Sequence, residues 1–515
     1  MGVDAGAHLL GLDVGTSGCK ALLFREDGTL VAHASREYAV DLPKPGWAEQ
    51  DISWVWMLAQ EAMREAIARS GLTEVVAIGL SVHGEAITPV DRDGRPLRPT
   101  ILGMDTRTGA QNDWLRERFG ARALFERTGM PIHTVNTLPK LLWIRDEEPD
   151  TWRAADRFLL VEDYLIERMT GEAVISRCLA SRTQLVDLAS GAWDPEILAE
   201  LGLDPARLAR IEPSGTPVGS LSPQLTTALG LTRPPIVVTG GHDQACGALG
   251  VGLTSPGLAS VSTGTAEVVE VALSSPVVSQ PLFDGNISVY HHVVPGLFLA
   301  MTLNHSGGLA LRWFRDALCE PHLARASVSG TDAYDLILED APAGPTSLLV
   351  LPHFAGSGTP TFDTTSRGAF LGLTFATDRA ELAKAILEGL TYELRMNLEL
   401  LRDGGVVIDV LRAIGGGARS GMWLQLKADV TGIPVATPSV TEAAGLGAAL
   451  LAGVGAGVFP SAAAAAQRCL RIAETRQPDP VAHRSYDERY AIYRDLYAAV
   501  VPFSRRLGLL RPPEA

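Results

Sequence analysis

Cysteine is scarce in this chain: five residues in 515, Cys19, Cys178, Cys246, Cys319 and Cys469, all far apart. No CxxC pair and no His/Cys cluster with zinc spacing occurs, which excludes a disulfide framework or a structural zinc site of the usual kind. Reduced thiols in a cytoplasmic protein are the expectation. Basic charge is also in deficit. Lys and Arg number 44 against 59 Asp and Glu, for a net charge of −15. That balance excludes nucleic acid and anionic membrane as broad partners, while leaving room for a local basic pocket around phosphate. Long apolar runs are missing too, so no membrane partner is expected. The longest small-residue stretch, Glu442 to Val458, is mostly Gly and Ala, a composition that suits a tightly packed helix in a soluble core. Met1 to Leu10 shows neither a basic region nor a long apolar core, so no signal peptide is expected. What is present, 46% apolar and 20% charged residues, is the composition of an ordinary globular protein. At ~150 residues per domain the length implies two or three domains.

The chain opens with an apolar strand, His8 to Asp13, a Gly-rich turn at Gly15 to Gly18, a second apolar run at Cys19 to Phe24, and a third strand over Thr29 to Tyr38 after the Asp27-Gly28 turn. A helix over Ser53 to Ser70, capped by Ser53, leads to another strand, Val75 to Leu80. This β-β-β-α-β order differs from a Rossmann unit, where a helix follows the first Gly-rich turn directly. The middle, Gly109 to Gly230, is mostly helical in pattern. Pro234 to Thr239 reads as a buried strand and Gln244 to Gly252 as a small-residue helix. The second half then repeats the opening logic. Gly257 to Thr263 ends in Gly264-Thr265, Glu267 to Ala272 returns, and Leu348 to Pro352 is a further strand. A long helix spans Asp378 to Leu401, and a strand over Val407 to Ile414 runs through three glycines into a helix at Ser420 to Thr431. The halves divide near residue 252, giving expected domains 1–252 and 253–515.

Five segments carry chemistry. Asp13 with Gly15, Thr16 and Ser17 sits between two strands, where backbone N–H groups and hydroxyls can surround phosphate oxygens. Asp13 itself could hold a hydrated Mg²⁺; the plainer reading is a hairpin turn. Thr263, Gly264 and Thr265 form a second such turn. Two facing phosphate hairpins would build the cleft of an actin-like ATPase. Gly415-Gly416-Gly417, between a strand and a helix that starts at Ser420, lets a flat nucleoside lie against bare backbone. Asp243 and Gln244, where a strand ends and a helix opens, offer either a general base for phosphoryl transfer or an N-cap carboxylate. His83, Gly84 and Glu85, with Asp105 and Arg107, could give the dense hydrogen bonding a polyol needs, although a single His after a strand is usually a satisfied polar residue.

Together these segments resemble the FGGY carbohydrate kinases of the actin, hexokinase and Hsp70-like ATPase superfamily, over about Leu9 to Val454. The most specific match is Gly368 to Leu373 followed by Glu381 to Glu388, the family's C-terminal signature. The N-terminal signature is met by Thr137 to Trp143, with Lys140 and Trp143 in place and Val135 departing from the usual leading residue. The resemblance implies an α/β protein of two RNase-H-like domains flanking a cleft, with ATP and Mg²⁺ as cofactors. It implies Asp13, Gly15 and Thr16 as the first phosphate turn and metal site, and Thr263, Gly264 and Thr265 as the second turn. It further implies Gly416, Gly417 and Ser420 around adenosine, Asp243 as base, and Gln244 as a neighbouring substrate contact. A small-molecule sugar or polyol is the implied partner, and a homodimer is common in the family. Xylulokinases carry Met-His-Gly and Trp-Asn-Asp-x-Arg where this chain has Val82-His83-Gly84 and Gly103-Met104-Asp105-Thr106-Arg107. Glycerol kinases share Glu85 and Asp243-Gln244 but carry Arg at Gly84. Fuculokinases share Gly241-His242-Asp243 and Asn136-Thr137-Leu138. A pentulose such as xylulose is therefore the expected acceptor, with glycerol or a deoxyhexulose as the alternative. A catalytically silent actin-like sugar or nucleotide binder is the alternative of a different class.

Overall fold

The computed structural model describes residues 6–509. Residues 1–5, and with them half of the stretch read for a signal peptide, lie outside the described residues, as do the last six of the expected second domain. β1 (His8–Val14) is buried along nearly its whole length, as an apolar strand covered on both faces must be. It pairs antiparallel with β2 (Gly18–Arg25), which pairs antiparallel with β3 (Leu30–Glu37). α1 (Ile52–Ser70) then carries the chain to β4 (Ala77–Val82), parallel to β1. Its cap is Asp51 rather than the expected Ser53: the Asp51 carboxylate accepts the N–H groups of Ser53 at 2.9 Å and Trp54 at 3.3 Å. One carboxylate satisfies two orphan donors there and adds favourable charge at the helix N-terminus. With β5 (Pro217–Ser220) and β6 (Ile236–His242) the first sheet has the order β5-β6-β4-β1-β2-β3.

The second sheet uses β7 (Gly257–Thr263), β8 (Glu267–Leu273), β9 (Ser288–His291), β10 (Phe298–Asn304), β11 (Ile408–Ile414), β12 (Val435–Pro438) and β13 (Ile472–Arg476), in the order β9-β10-β8-β7-β11-β12-β13. β7 pairs antiparallel with β8 and parallel with β11, as β1 does with β2 and β4. One plan is thus built twice. The helices that position the site are α2 (Thr137–Glu147), α3 (Asp243–Gly250), α4 (Arg379–Asp403), α5 (Gly421–Thr431), α6 (Ala443–Gly455) and α7 (Leu496–Leu509).

α6 belongs to the second half in sequence yet packs on β1, β4 and α3. Its small residues make this close approach feasible: a Cβ on Gly11 of β1 would fall on the Gly445 carbonyl. Leu9, Leu22, Leu249, Leu446 and Leu450 share one core that joins the halves, so α6 crosses back over the division expected at residue 252. The signature stretch on α4 is structural. Glu388 accepts the Thr346 N–H at 3.1 Å and its hydroxyl at 2.5 Å, and Lys384 Nζ donates to the Gly344 carbonyl at 2.6 Å. Among the described residues no helix is long and apolar enough to cross a membrane.

Candidate active site

Asp243 is the first residue of α3, directly after β6, and His242 stands at the cap position. Its Oδ1 accepts the Gln244 N–H at 2.7 Å and lies 3.2 Å from His242 Nε2. Burial pushes the Asp243 carboxyl up to about 8, with the nearby Asp13 carboxylate as the second cause. The strand that delivers it is held from behind. Glu162, fully buried and itself pushed up to about 7, accepts the Gly240 N–H at 2.7 Å and the Ser176 hydroxyl at 2.6 Å. Asp243 and Gln244 line a cavity of about 180 Å³ together with Ser262 of β7, Glu270 of β8, Gly415 and Glu442. The structure therefore brings the candidate base, the strand that leads into the second turn and the first of the three glycines to one space, while Thr263, Gly264, Thr265, Gly416 and Gly417 do not line it.

Asp13 ends β1. Its Oδ1 accepts the Ser81 hydroxyl at 2.7 Å, and burial raises its pKa. The Gly15 N–H closes the hairpin on the Gly18 carbonyl at 2.9 Å, while Gln50 Nε2 and the Tyr38 hydroxyl hold the carbonyls of Thr16 and Gly15. Asp13, Gly15, Thr16, Ser17 and Lys20 line a wider depression of about 740 Å³. Lys20 is shared with Glu442 at 2.8 Å, which ties the first hairpin to the segment that enters α6. Among the described residues no group of three or more His, Cys, Asp or Glu is arranged to hold a metal. One carboxylate beside a phosphate turn still fits magnesium, which keeps most of its waters and takes the rest of its ligands from phosphate.

The second hairpin is locked from inside. Lys427 of α5 and Glu267 of β8 form a buried pair at 2.6 Å, and the Thr263 hydroxyl accepts from Lys427 at 2.6 Å while donating to Glu267 at 2.7 Å. The Thr263 side chain thus builds the turn, and the carbonyls of Gly264 and Thr265 are held by the N–H groups of Gly308 and Gly307 at 2.7 and 2.9 Å. Gly415, at φ 83°, lies so close to this turn that a Cβ would stand 2.6 Å from the Thr263 carbonyl. Gly417 packs on the Thr263 side chain, Gly416 is exposed, and the Ser420 hydroxyl caps α5 by accepting the Trp423 N–H at 3.3 Å.

The polar cluster after β4 divides into two parts. His83 is buried, kept neutral by burial with its pKa down to about 4, and its Nε2 has no partner among the described residues. Gly84 makes room for the His242 ring, whose Cδ2 would be 2.8 Å from a Cβ there. Glu85 turns away at φ 61° and meets Arg182, whose Nε donates to its Oε1 at 2.7 Å. Asp105 and Arg107 form a buried ion pair. Asp105 accepts from Arg107 Nε at 2.9 Å and from the Ala48 N–H at 2.6 Å, and it is fully buried. Arg107 pairs with Glu49 at 2.8 Å and stacks 3.6 Å from the Trp47 ring. Arg107 Nη1 is buried and has no hydrogen-bond partner among the described residues, so the pair leaves one donor over.

Several buried polar and charged side chains around the candidate site were not singled out from the sequence. Arg182 also donates to the Ser288 hydroxyl at 3.0 Å and lies 4.6 Å over the Tyr290 ring, and the Tyr290 hydroxyl donates to Glu270. Burial pushes Glu270 up to about 7. The signal for Glu267 and Glu270 was two carboxylates inside a strand that is otherwise apolar; Lys427, in a stretch that also holds Gln425 and Asp429, had none. Arg182 had no local signal.

Comparison with known proteins gives a consistent picture. The N-terminal domain of the FGGY family of carbohydrate kinases matches residues 8–250, and the family's C-terminal domain matches residues 259–456. A xylulose kinase of Bacillus subtilis (strain 168) is 31% identical, covering 95% of this chain and 96% of its own length. An autoinducer-2 kinase of Escherichia coli (strain K12) is 32% identical, covering 95% and 94%. The crystal structure of a xylulose kinase from Rhodospirillum rubrum superposes with a TM-score of 0.87 at 29% identity, covering 97% of this chain and all of that one.

Proposed function

The chain belongs to the FGGY family of carbohydrate kinases, and from that premise we propose that it transfers the γ-phosphoryl group of ATP to a terminal hydroxyl of a pentulose, xylulose first. The observation that carries the reading is Asp243, a buried carboxylate at the start of α3 that shares its cavity with Ser262 of β7, Glu270 of β8 and Gly415. Asp243 accepts the hydroxyl proton as the oxygen attacks phosphorus. His83, neutral and with a free buried nitrogen, hydrogen-bonds the acceptor, with Glu85 and Gln244 beside it. Thr16, Ser17 and the Thr265 turn line the phosphate path, and Gly416 and Gly417 with the capped start of α5 receive adenosine. Asp13 would hold Mg²⁺, which when bound supplies positive charge to the phosphate oxygens. Phosphoryl transfer needs little more than this positioning and electrostatic support. All five cysteines are free and buried, which supports a reducing, cytoplasmic setting with a small-molecule sugar as substrate.

A kinase for autoinducer-2 is the second reading. The Escherichia coli relative is as similar as the xylulose kinases. Glu85 paired to Arg182, beside Gly103, also departs from the xylulokinase pattern. The test is ADP release with Mg-ATP and a panel of D-xylulose, D-ribulose, L-fuculose, glycerol and autoinducer-2. One strong acceptor fixes the substrate. Asp243→Ala is expected to abolish turnover while binding the same acceptor in calorimetry; near-normal kcat in that variant would remove Asp243 from the role of base.

A further inference from the structure

Phe362 is a bulky residue with φ 46°, a left-handed backbone that non-glycine residues rarely adopt and that tends to mark functional segments. It sits in the loop between the short paired strands Leu349–Leu351 and Ala369–Leu371, in the second half of the chain. Its ring lies 5.4 Å from His133 of the first half and 5.7 Å from His305 beside β10. Both histidines are lowered by burial, His133 to about 4, so Phe362 is faced by neutral rings.

His133 lies two residues before Val135, on the segment that packs against Glu85 and Gly103. Its Nδ1 accepts the Val135 N–H at 3.1 Å. Lys140 of α2 donates to the carbonyls of Val135, Asn136 at 3.1 Å and Glu85 at 3.3 Å. The Val135 side chain would be 3.7 Å from a Cβ on Gly103. One clamp therefore joins the Glu85 turn, Gly103 and His133, and Phe362 rests on its end.

The loop that carries Phe362 is fastened from the other side. Thr359 exchanges two hydrogen bonds with Leu303 of β10, at 2.7 and 3.1 Å, and Asn286 donates to the Pro360 carbonyl at 2.7 Å. Asp363, next in the chain, accepts the Tyr497 hydroxyl at 2.9 Å and Arg505 at 3.3 Å, both from α7. The Ser504 hydroxyl accepts the Arg367 N–H at 3.2 Å. The C-terminal helix α7 thus holds the loop in place.

We propose that Phe362 is the acceptor-selecting wall of this kinase: an aromatic plate from the second half of the chain that meets His133 of the first half and limits the length of sugar admitted beside the Glu85 turn. The inference rests on the kinase reading above. Asp363, Tyr497 and Arg505 act through the loop as positioning residues.

The test compares kcat/KM for the best pentulose with that for a ketose one carbon longer, in the full chain with Mg-ATP. The ratio of the two is independent of the active fraction, so partial misfolding of a variant does not disturb it. Phe362→Ala is expected to raise the pentulose KM with little change in kcat and to move the ratio toward the longer sugar by about tenfold or more, the scale of one methylene in an apolar pocket. Phe362→Trp is expected to move it the other way, and Asp363→Asn in the direction of Phe362→Ala. Unchanged ratios in the Ala and Trp variants, with acceptor-dependent ADP release intact, overturn the wall and leave the kinase reading standing. A wild-type protein whose ADP release responds to no acceptor overturns both.

Discussion

A general base must be ionised before it can take a proton, and the Asp243 carboxyl stands at about 8. Burial is the larger cause and the Asp13 carboxylate the next. Acceptor kcat/KM at limiting Mg-ATP is therefore expected to rise with pH through neutrality and to level off above about 8. A cation at Asp13 cancels the second cause, so at saturating Mg-ATP the acid limb moves to lower pH. A limb indifferent to Mg-ATP, or an activity that falls across this range, counts against the base, and pH–rate profiles at two nucleotide concentrations decide it. At this scale the sequence was partly legible. Asp13 and Asp243 could be found because each follows an apolar strand and precedes a glycine turn or a small-residue helix, both local signals. Asp105 and Arg107 could not be sorted. Two residues that look like sugar ligands on paper pair with each other against Trp47 and the Ala48 N–H of a distant segment, and only Arg107 Nη1 is left without a partner on that pair among the described residues.

Strand order and turn chemistry act over short distances, and the elements followed from them with boundaries shifted by up to three residues, as in the strand expected to end at Thr239 that runs to His242. The β-β-β-α-β opening, its repeat after residue 257 and the helix after the three glycines all appear. What stayed hidden was the interior of the second hairpin. The Thr263 hydroxyl faces Lys427, 164 residues away, and nothing local announces that. The Lys427–Glu267 pair is expected to set the position of the phosphate turn. Lys427→Met leaves the Glu267 carboxylate buried beside Thr263 alone and frees the turn to shift. A displacement on the ångström scale costs roughly a hundredfold when it misplaces a reacting group. The expectation is a rise of about tenfold or more in the ATP KM with the acceptor KM unchanged, read by steady-state kinetics with each substrate varied in turn. Equal effects on both substrates would mean general loosening of the protein.

Across the whole molecule the two sheets are joined by packing and by charge. α6 supplies the packing. Charge is supplied by Arg182, which reaches from the first half to Glu85 on one side and to Ser288 and Tyr290 on the other, with Glu270 behind the tyrosine. These groups are almost entirely buried. Removing one member of such a pair strands the other in low dielectric and costs about 3–5 kcal/mol, whereas removing both can be nearly neutral. Arg182→Met is therefore expected to destabilise the chain by that amount in urea denaturation. Adding Glu85→Gln should recover most of the loss, because the unpaired carboxylate is then gone. The Glu85→Gln/Arg182→Met double variant keeps the fold but loses the tie between the halves, so its acceptor KM should stay high after stability returns. Additive stability changes would show that the two side chains do not depend on each other. Recovery of KM together with stability would show that the tie holds the fold and has no part in choosing the acceptor.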